Sequence, residues 1–380
     1  MDYFERKYGT GTDGLAKRPL RGWDTVTVPG VVAGWAALHE KFGKLPFETL
    51  FEPAIEIANR GFIVPPVVAE KWARAVPELK DQPGFADMFM PQGRAPAIGE
   101  LFRAPHMAKT LQRIAASRGR DFYEGDLAEQ IAAAAKAGGG AITLDDLRGF
   151  APEWVTPISK DYQGYTLHEI PPNGQGIAAL IALGLVERFG LRDMPVDSVQ
   201  SQHIQIEAMK LAFSDVYRYV ADPRRMEVTP EQMLDDAYLD SRARLIQPDR
   251  VLEPQAGRPA AGGTIYLTAA DEDGNMISFI QSNYMGFGSG VVVPNTGISL
   301  QNRGVGFSMD RKSANVVQGG QRPFHTIIPG FLTQNGQPVM SFGVMGGDMQ
   351  PQGHLQTVVR MLEYDQQPQA ACCAPRWKVN

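Results

Sequence analysis

Cysteine is nearly missing from this chain: two residues among 380, Cys372 and Cys373, stand next to each other. Adjacent cysteines cannot build an ordinary disulfide framework, and two thiols fall short of a four-ligand zinc site. The six histidines are scattered without metal-ligand spacing, so no metal and no other cofactor is expected. An excess of one charge is lacking as well. A formal charge of −5, from 37 basic and 42 acidic residues, gives no reason to expect nucleic acid or an anionic membrane as partner. Long hydrophobic runs are also absent. The most apolar stretch, Gly176 to Val186, is shorter than the ~18 residues that span a bilayer and reads as a buried helix. The N-terminus, Met1-Asp2-Tyr3-Phe4-Glu5-Arg6-Lys7, is charged and has no apolar signal-peptide core. No internal repeat or low-complexity tract appears.

What is present is a chain long enough to bury a large core, as one big unit or two smaller ones. The first half carries helical patterns at 31–40, ending near Gly43, and at about 50–61, 66–76, 107–118 and 126–137, separated by Pro- and Gly-rich turns. Residues 81–100 read as an irregular loop, and Thr143 as the N-cap of a short helix. Residues 161–170 suggest a strand pair around a turn. A long helix follows over roughly 197–220, stopped by Asp222-Pro223, then another over about 230–246 and a Gly/Pro loop over 247–263. Beyond Gly263 the texture becomes strand-rich. Residues 264–270 and 276–282 flank Asp271-Glu-Asp-Gly-Asn275, and strands at about 325–333 and 338–343 flank Gln334-Asn-Gly-Gln337. A helix is expected over 351–363. The pattern is α+β, and helices packed outside stacked antiparallel sheets is one arrangement that satisfies it.

The chemically suggestive point is the junction Ala261-Gly262-Gly263-Thr264. If the 263–264 bond were cut, Thr264 would carry a hydroxyl and a free α-amine at a strand edge. An α-amine with an ordinary pKa of about 8 can take the hydroxyl proton near neutral pH, which makes the residue a self-sufficient acyl-transfer nucleophile. The same hydroxyl could make the cut by attacking the Gly263 carbonyl, and glycines tolerate the strained backbone this needs. Gly-Gly-Thr is equally an ordinary turn into a strand, since threonine favours strands. The tripeptide alone leaves both readings open.

The wider sequence carries Thr27-Val-Pro-Gly-Val-Val-Ala-Gly-Trp35, Leu45-Pro-Phe-Glu-Thr-Leu-Phe-Glu-Pro-Ala54, Glu207-Ala-Met-Lys-Leu-Ala212 and Tyr219-Val-Ala-Asp-Pro223. After these come Thr264-Ile-Tyr-Leu-Thr-Ala-Ala-Asp271, Asp273-Gly-Asn275, Phe287-Gly-Ser-Gly290 and Gly346-Gly347. In order and spacing these motifs resemble the gamma-glutamyltransferase family over nearly all of the chain. The resemblance implies an N-terminal-nucleophile hydrolase with a four-layer αββα sandwich, matured by self-cleavage between Gly263 and Thr264. Residues 1–263 correspond to the large subunit, mainly helical, and 264–380 to the small, strand-rich one, the two together forming one structural domain. Thr264 is the implied nucleophile, Ser282 the hydroxyl that supports it, and Gly346 and Gly347 the oxyanion-hole residues. The cleaved halves are expected to stay associated, with a homodimer of such heterodimers as the larger assembly.

Several positions depart from the family pattern. The stretch Gly304-Val305-Gly306 holds no acid where members pair one with the ammonium of a γ-glutamyl substrate. Arg303 replaces a frequent glutamine, Tyr284 a frequent asparagine, and His325-Thr326 a pair of serines that grip a carboxylate. Leaving a desolvated ammonium without its anion costs roughly 3–5 kcal/mol. Tyr284, Arg303, His325 and Thr326 are therefore expected to bind a small anionic amide, as in the branch containing oxamate amidohydrolase and cephalosporin-acylase-like proteins. The alternatives are a true gamma-glutamyltransferase, or glutathione hydrolase, and an inactive fragment. Family members are longer at both ends, so the chain is expected to be truncated there; a cytoplasmic location is favoured over a periplasmic one on the visible N-terminus. Pro171-Pro-Asn-Gly-Gln-Gly176 reads as a tight strand-to-helix turn in preference to a lining of the pocket rim, Glu207, Lys210 and Asp215 as ion-pairing residues, and Cys372-Cys373 as part of a late helix.

Overall fold

The computed structural model describes residues 1–10, 18–253 and 263–379. The Gly/Pro loop expected over 247–263 therefore lies largely outside the described residues. In chain order the strands are β1 (Phe62–Ile63), β2 (Leu101–Phe102), β3 (Ile158–Tyr162), β4 (Tyr165–Glu169), β5 (Gly263–Ala270), β6 (Met276–Tyr284), β7 (Gly330–Gln334) and β8 (Gln337–Phe342). The chain divides into two compact units. One comprises residues 1–17, 155–282 and 306–380; the other comprises 18–154 and 283–305. The 263–264 junction falls inside the first unit.

In the first unit β3, β4, β7 and β8 form one antiparallel sheet in that order. Two of its turns follow from left-handed dipeptides. Gln163-Gly164 (φ 50° and 78°) joins β3 to β4, and Asn335-Gly336 (φ 50° and 76°) joins β7 to β8, the geometry that matches the twist of a tight hairpin. The helix Gly176–Val186 packs against β3 and β4, and all eleven of its residues are buried. A helix apolar on every face is a core helix. It is surrounded by Val199–Tyr219, Asp236–Ala243 and Met349–Leu362, and Gly184 lets Leu239 approach where a Cβ would lie 2.6 Å from its Cδ1. As expected, Glu207 pairs with Lys210 (2.9 Å) and Asp215 with Arg242 (2.8 Å), and Cys372 and Cys373 end the helix Pro368–Cys373.

The β5–β6 hairpin closes through Asp271, whose carboxylate accepts the N–H groups of Asp273 (3.1 Å) and Asn275 (2.9 Å), with Gly274 at φ 81°. Period-two alternation puts Thr264, Tyr266 and Thr268 on one side, while Ile265 and Leu267 are exposed. That side, buried at Thr264 and exposed by Thr268, meets Ser282, Ser278 and Ser341 respectively.

The second unit is helical around a core that includes Trp23, Phe51, Ile114, Leu127, Ile131, Leu147, Val291 and Leu300. Thr143 caps Leu144–Arg148 in a reciprocal box with Asp146, as its sequence position suggests.

Three expectations about elements need correction. Residues 81–100 are not wholly irregular: Phe85–Phe89 is helical, held by Phe85 and Phe89 packing on Phe287. Five residues are too few for a periodic signal, so tertiary packing decides. Residues 230–246 form two helices, Pro230–Met233 and Asp236–Ala243, because Asp235 supplies a second N-cap to the N–H of Tyr238 (3.0 Å). The strand expected from 325 begins only at Gly330. His325 instead makes an isolated bridge to Gly174, and the N–H of Ile328 bonds to Gln350 Oε1 (3.1 Å).

Candidate active site

The first unit brings Thr264 and Ser282 together. Thr264 opens the inward face of β5, is 8% exposed, and its Oγ1 lies 3.1 Å from Ser282 Oγ on β6. Either hydroxyl can donate, so the contact can present a lone pair of Thr264 outward or steer its proton. Tyr266, two residues on, lies against Gly343, where a Cβ would come within 2.4 Å of the ring. That close approach seats the loop after β8 beside β5 and starts the run to Gly346 and Gly347.

The two glycines take φ 122° and 60°, conformations costly for residues with a Cβ. Their carbonyls are tied into the start of the helix Met349–Leu362, Gly346 O accepting from Met349 N–H and Gly347 O from Gln350 N–H, both at 3.1 Å. Among the described residues the N–H groups of Gly347 and Asp348 have no backbone acceptor. One belongs to the N-cap and the other to the residue before it, and unspent donors at such a turn suit a developing negative oxygen.

His325 and Thr326 reach the same neighbourhood through Gln175. The N–H of His325 donates to Asn173 O (2.9 Å), and that of Gln175 to His325 O (2.9 Å). The Gln175 side chain, fully buried, donates from Nε2 to both Thr326 O (2.7 Å) and Gly347 O (2.9 Å). The turn 171–176 is therefore a strand-to-helix connection, as read, that also joins two of the candidate segments.

Tyr284 and Arg303 lie in the second unit and pack on each other, with Arg303 Cζ 4.8 Å from the Tyr284 ring centre. Arg303 is 5% exposed, and burial lowers its pKa to about 10, which leaves it cationic at neutral pH. Tyr284 sits at φ 74°. Gln301 orients this segment by donating to Thr27 O (2.8 Å) and Thr27 Oγ1 (2.7 Å).

Asp348 was not singled out by the sequence, although it directly follows the paired glycines. It is 6% exposed and makes no capping bond to the helix it precedes. Burial pushes its carboxyl up from 3.8 to about 6, with Lys378 partly opposing. Between those values the folded chain binds the proton more tightly than the unfolded one, so this group's contribution to stability is lost as pH rises from about 4 to about 6. Asp348→Asn is accordingly expected to raise stability above pH 6 by about 3 kcal/mol and to change little at pH 4. Urea midpoints at the two pH values check this.

Comparison with known proteins bears on what this geometry belongs to. A family model described as gamma-glutamyltranspeptidase matches residues 2–380. The chain belongs to that family. A glutathione hydrolase-like proenzyme, YwrD, from Bacillus subtilis is 37% identical over 96% of this chain and 69% of its own length. An oxamate amidohydrolase proenzyme from Klebsiella pneumoniae is 36% identical over 93% of this chain and 67% of its own. The crystal structure of a cephalosporin acylase from Bacillus halodurans is 49% identical and superposes with a TM-score of 0.91, covering 96% of this chain and 68% of that one. The chain thus spans about two thirds of the length of these relatives. Its fold class is the α+β N-terminal-nucleophile hydrolase fold of the family, and the chain is an amide hydrolase or acyltransferase of it.

Proposed function

We propose that the protein is a self-processing N-terminal-threonine amidohydrolase that cleaves a small anionic amide through an acyl-enzyme on Thr264. The observation that carries this reading is the buried Thr264 hydroxyl at the head of β5, directly after Gly263 and 3.1 Å from Ser282. Cleavage at 263–264 frees the α-amine of Thr264. That amine takes the hydroxyl proton while Oγ1 attacks the substrate carbonyl carbon. The oxygen of the resulting tetrahedral centre carries the charge, and N–H groups of the turn at Gly346 and Gly347 receive it. The ammonium then protonates the departing amine, and water repeats the sequence on the ester to release the acid.

Both halves are needed for the fold. β4 comes from the large part and β7 from the small part, paired at Thr166–Thr333, Leu167–Leu332 and His168–Phe331. A shared sheet keeps the cleaved chains associated.

The preference for an anion rests on the sequence, with no acid over 304–306 and with Arg303 and His325-Thr326 at binding positions, and on the relative named oxamate amidohydrolase. Tyr284, Arg303, His325 and Thr326 are the substrate-binding residues of this reading. The test offers purified, processed enzyme oxamate and, separately, a γ-glutamyl p-nitroanilide. Ammonia release from the former, with turnover of the latter at least about 100-fold slower, is expected, because a ~3 kcal/mol loss at the ammonium is more than a factor of 100. The reverse order would make the protein a gamma-glutamyltransferase. An uncut chain active on neither would make it a remnant.

A further inference from the structure

We propose that Gln175 is a positioning residue whose buried carboxamide sets the direction of the oxyanion-binding turn; this deepens the function proposed above and rests on it. Gly346 and Gly347 are consecutive residues at positive φ, the least self-constrained kind of backbone. A turn of this kind needs an outside hold if its N–H groups are to be aimed before the reaction begins.

Gln175 provides it from a rigid base. It immediately precedes the wholly buried helix Gly176–Val186 and is itself 0% exposed. Its Nε2 spends both protons on carbonyls, Gly347 O at 2.9 Å and Thr326 O at 2.7 Å. Carbonyl oxygens only accept, so the nitrogen end of the amide must face them. In a trans peptide the C=O and the following N–H point in opposite directions. Holding Gly347 O therefore fixes where the N–H of Asp348 points, and anchors the plane that follows Gly347.

The two ends of this clamp differ in what else supports them. The segment of His325 and Thr326 retains two bonds to main-chain atoms of residues 173 and 175, and the bond from Ile328 N–H to Gln350, whatever stands at the side chain of 175. Among the described residues, Gly347 O has Gln175 as its side-chain anchor and otherwise a bond from its own helix. Loss of the carboxamide should therefore weaken transition-state stabilisation more than substrate binding.

The experiment uses full-length Gln175→Met, which fills the same space without a donor, and Gln175→Glu. The substrate is whichever of oxamate and the γ-glutamyl p-nitroanilide wild type turns over. Gln175→Met is expected to process normally and to lose about 30- to 100-fold in kcat with KM within about threefold, at or below the roughly 10²- to 10³-fold cost of removing an oxyanion donor because the donor is misaimed rather than lost. In Gln175→Glu a carboxylate facing two carbonyls repels them, whereas the protonated acid restores one donor. Its activity relative to wild type should rise at least about tenfold from pH 8 to pH 5.5, burial having raised the acid's pKa. A kcat for processed Gln175→Met within threefold of wild type, or a flat ratio for folded Gln175→Glu, overturns the proposal. Thr264→Ala separates this from the reading beneath it. A catalytically active Thr264→Ala sinks that reading, as does processed wild type inert toward both substrates; an inactive Thr264→Ala with undiminished Gln175→Met sinks the role of Gln175 alone.

Discussion

Replacing Thr264 with alanine is expected to leave one uncut chain of 380 residues and to lower amide turnover by at least about 10⁴-fold. The size follows from removing two functions with one oxygen. In the proposed mechanism the hydroxyl is the attacking atom in processing, and without processing the α-amine proposed as base stays locked in a peptide bond. The N–H groups proposed as oxyanion donors in the 346–347 turn survive the change, so a residual rate above that of water is expected. Thr264→Ser restores what the proposed mechanism needs: an oxygen, the same amine once cut, and a partner hydroxyl on Ser282. It should process, if more slowly, and keep measurable activity. Denaturing electrophoresis and mass spectrometry check both variants. Wild type should show chains ending at 263 and beginning at 264, and an intact wild-type chain indistinguishable from Thr264→Ala would remove Thr264 from the mechanism.

The parts of this fold that could be read in advance are those where a local pattern and the tertiary structure agree. Gly176–Val186 is apolar throughout and cannot face water on any side. Asn335-Gly336 carries the two left-handed conformations of a tight hairpin, and Thr143 finds its capping partner three residues away. The hairpin turning at Asp271–Asn275 was legible in the same way, whereas Ser282 as the partner of Thr264 came from the family resemblance. Long-range satisfaction of polar groups could not be read. The segment from His325 to Pro329 has strand-like residues, but its main-chain bonds go to residues 173–175, to Gln350 and, from Ile327 N–H, to the His325 ring, so it forms no ladder. Gln175 reaches partners 151 and 172 positions away, and nothing in Pro-Pro-Asn-Gly-Gln-Gly tells a buried clamp from a surface turn. Asp348 looks like a helix cap. Its burial, which raises its pKa, depends on what packs around it rather than on its neighbours in sequence.

A second large effect is expected at a buried pair that the sequence did not suggest. Glu169, the last residue of β4, and His354, on the helix Met349–Leu362, meet at 2.5 Å between Oε1 and Nδ1, and both side chains are wholly buried. Their surroundings are closely packed: the Phe342 ring lies 4.7 Å from the imidazole, and glycines at 176 and 330 are needed where a Cβ would come within 2.8 Å of Glu169 Cβ and 3.0 Å of His354 Cε1. The other two polar atoms, Glu169 Oε2 and His354 Nε2, have no hydrogen-bond partner among the described residues, so within the protein the Oε1–Nδ1 bond is what compensates the pair for burial. Glu169→Ala removes the partner, leaves the imidazole stranded and opens a cavity, and should cost about 3–5 kcal/mol. Glu169→Gln keeps an acceptor in place and should cost about 1–2 kcal/mol. Replacing both residues at once, Glu169→Met with His354→Leu, removes the stranded group and should recover at least about 2 kcal/mol relative to the sum of the single changes. The pair also joins the strand that leads to Gln175 to the helix that begins after Gly347, the same two segments the Gln175 amide spans. Loosening it should therefore lower kcat in the Glu169→Gln enzyme that still folds, alongside its unfolding midpoint. Midpoints within about 0.5 kcal/mol of wild type for Glu169→Ala would show that the contact contributes nothing to holding β4 against that helix.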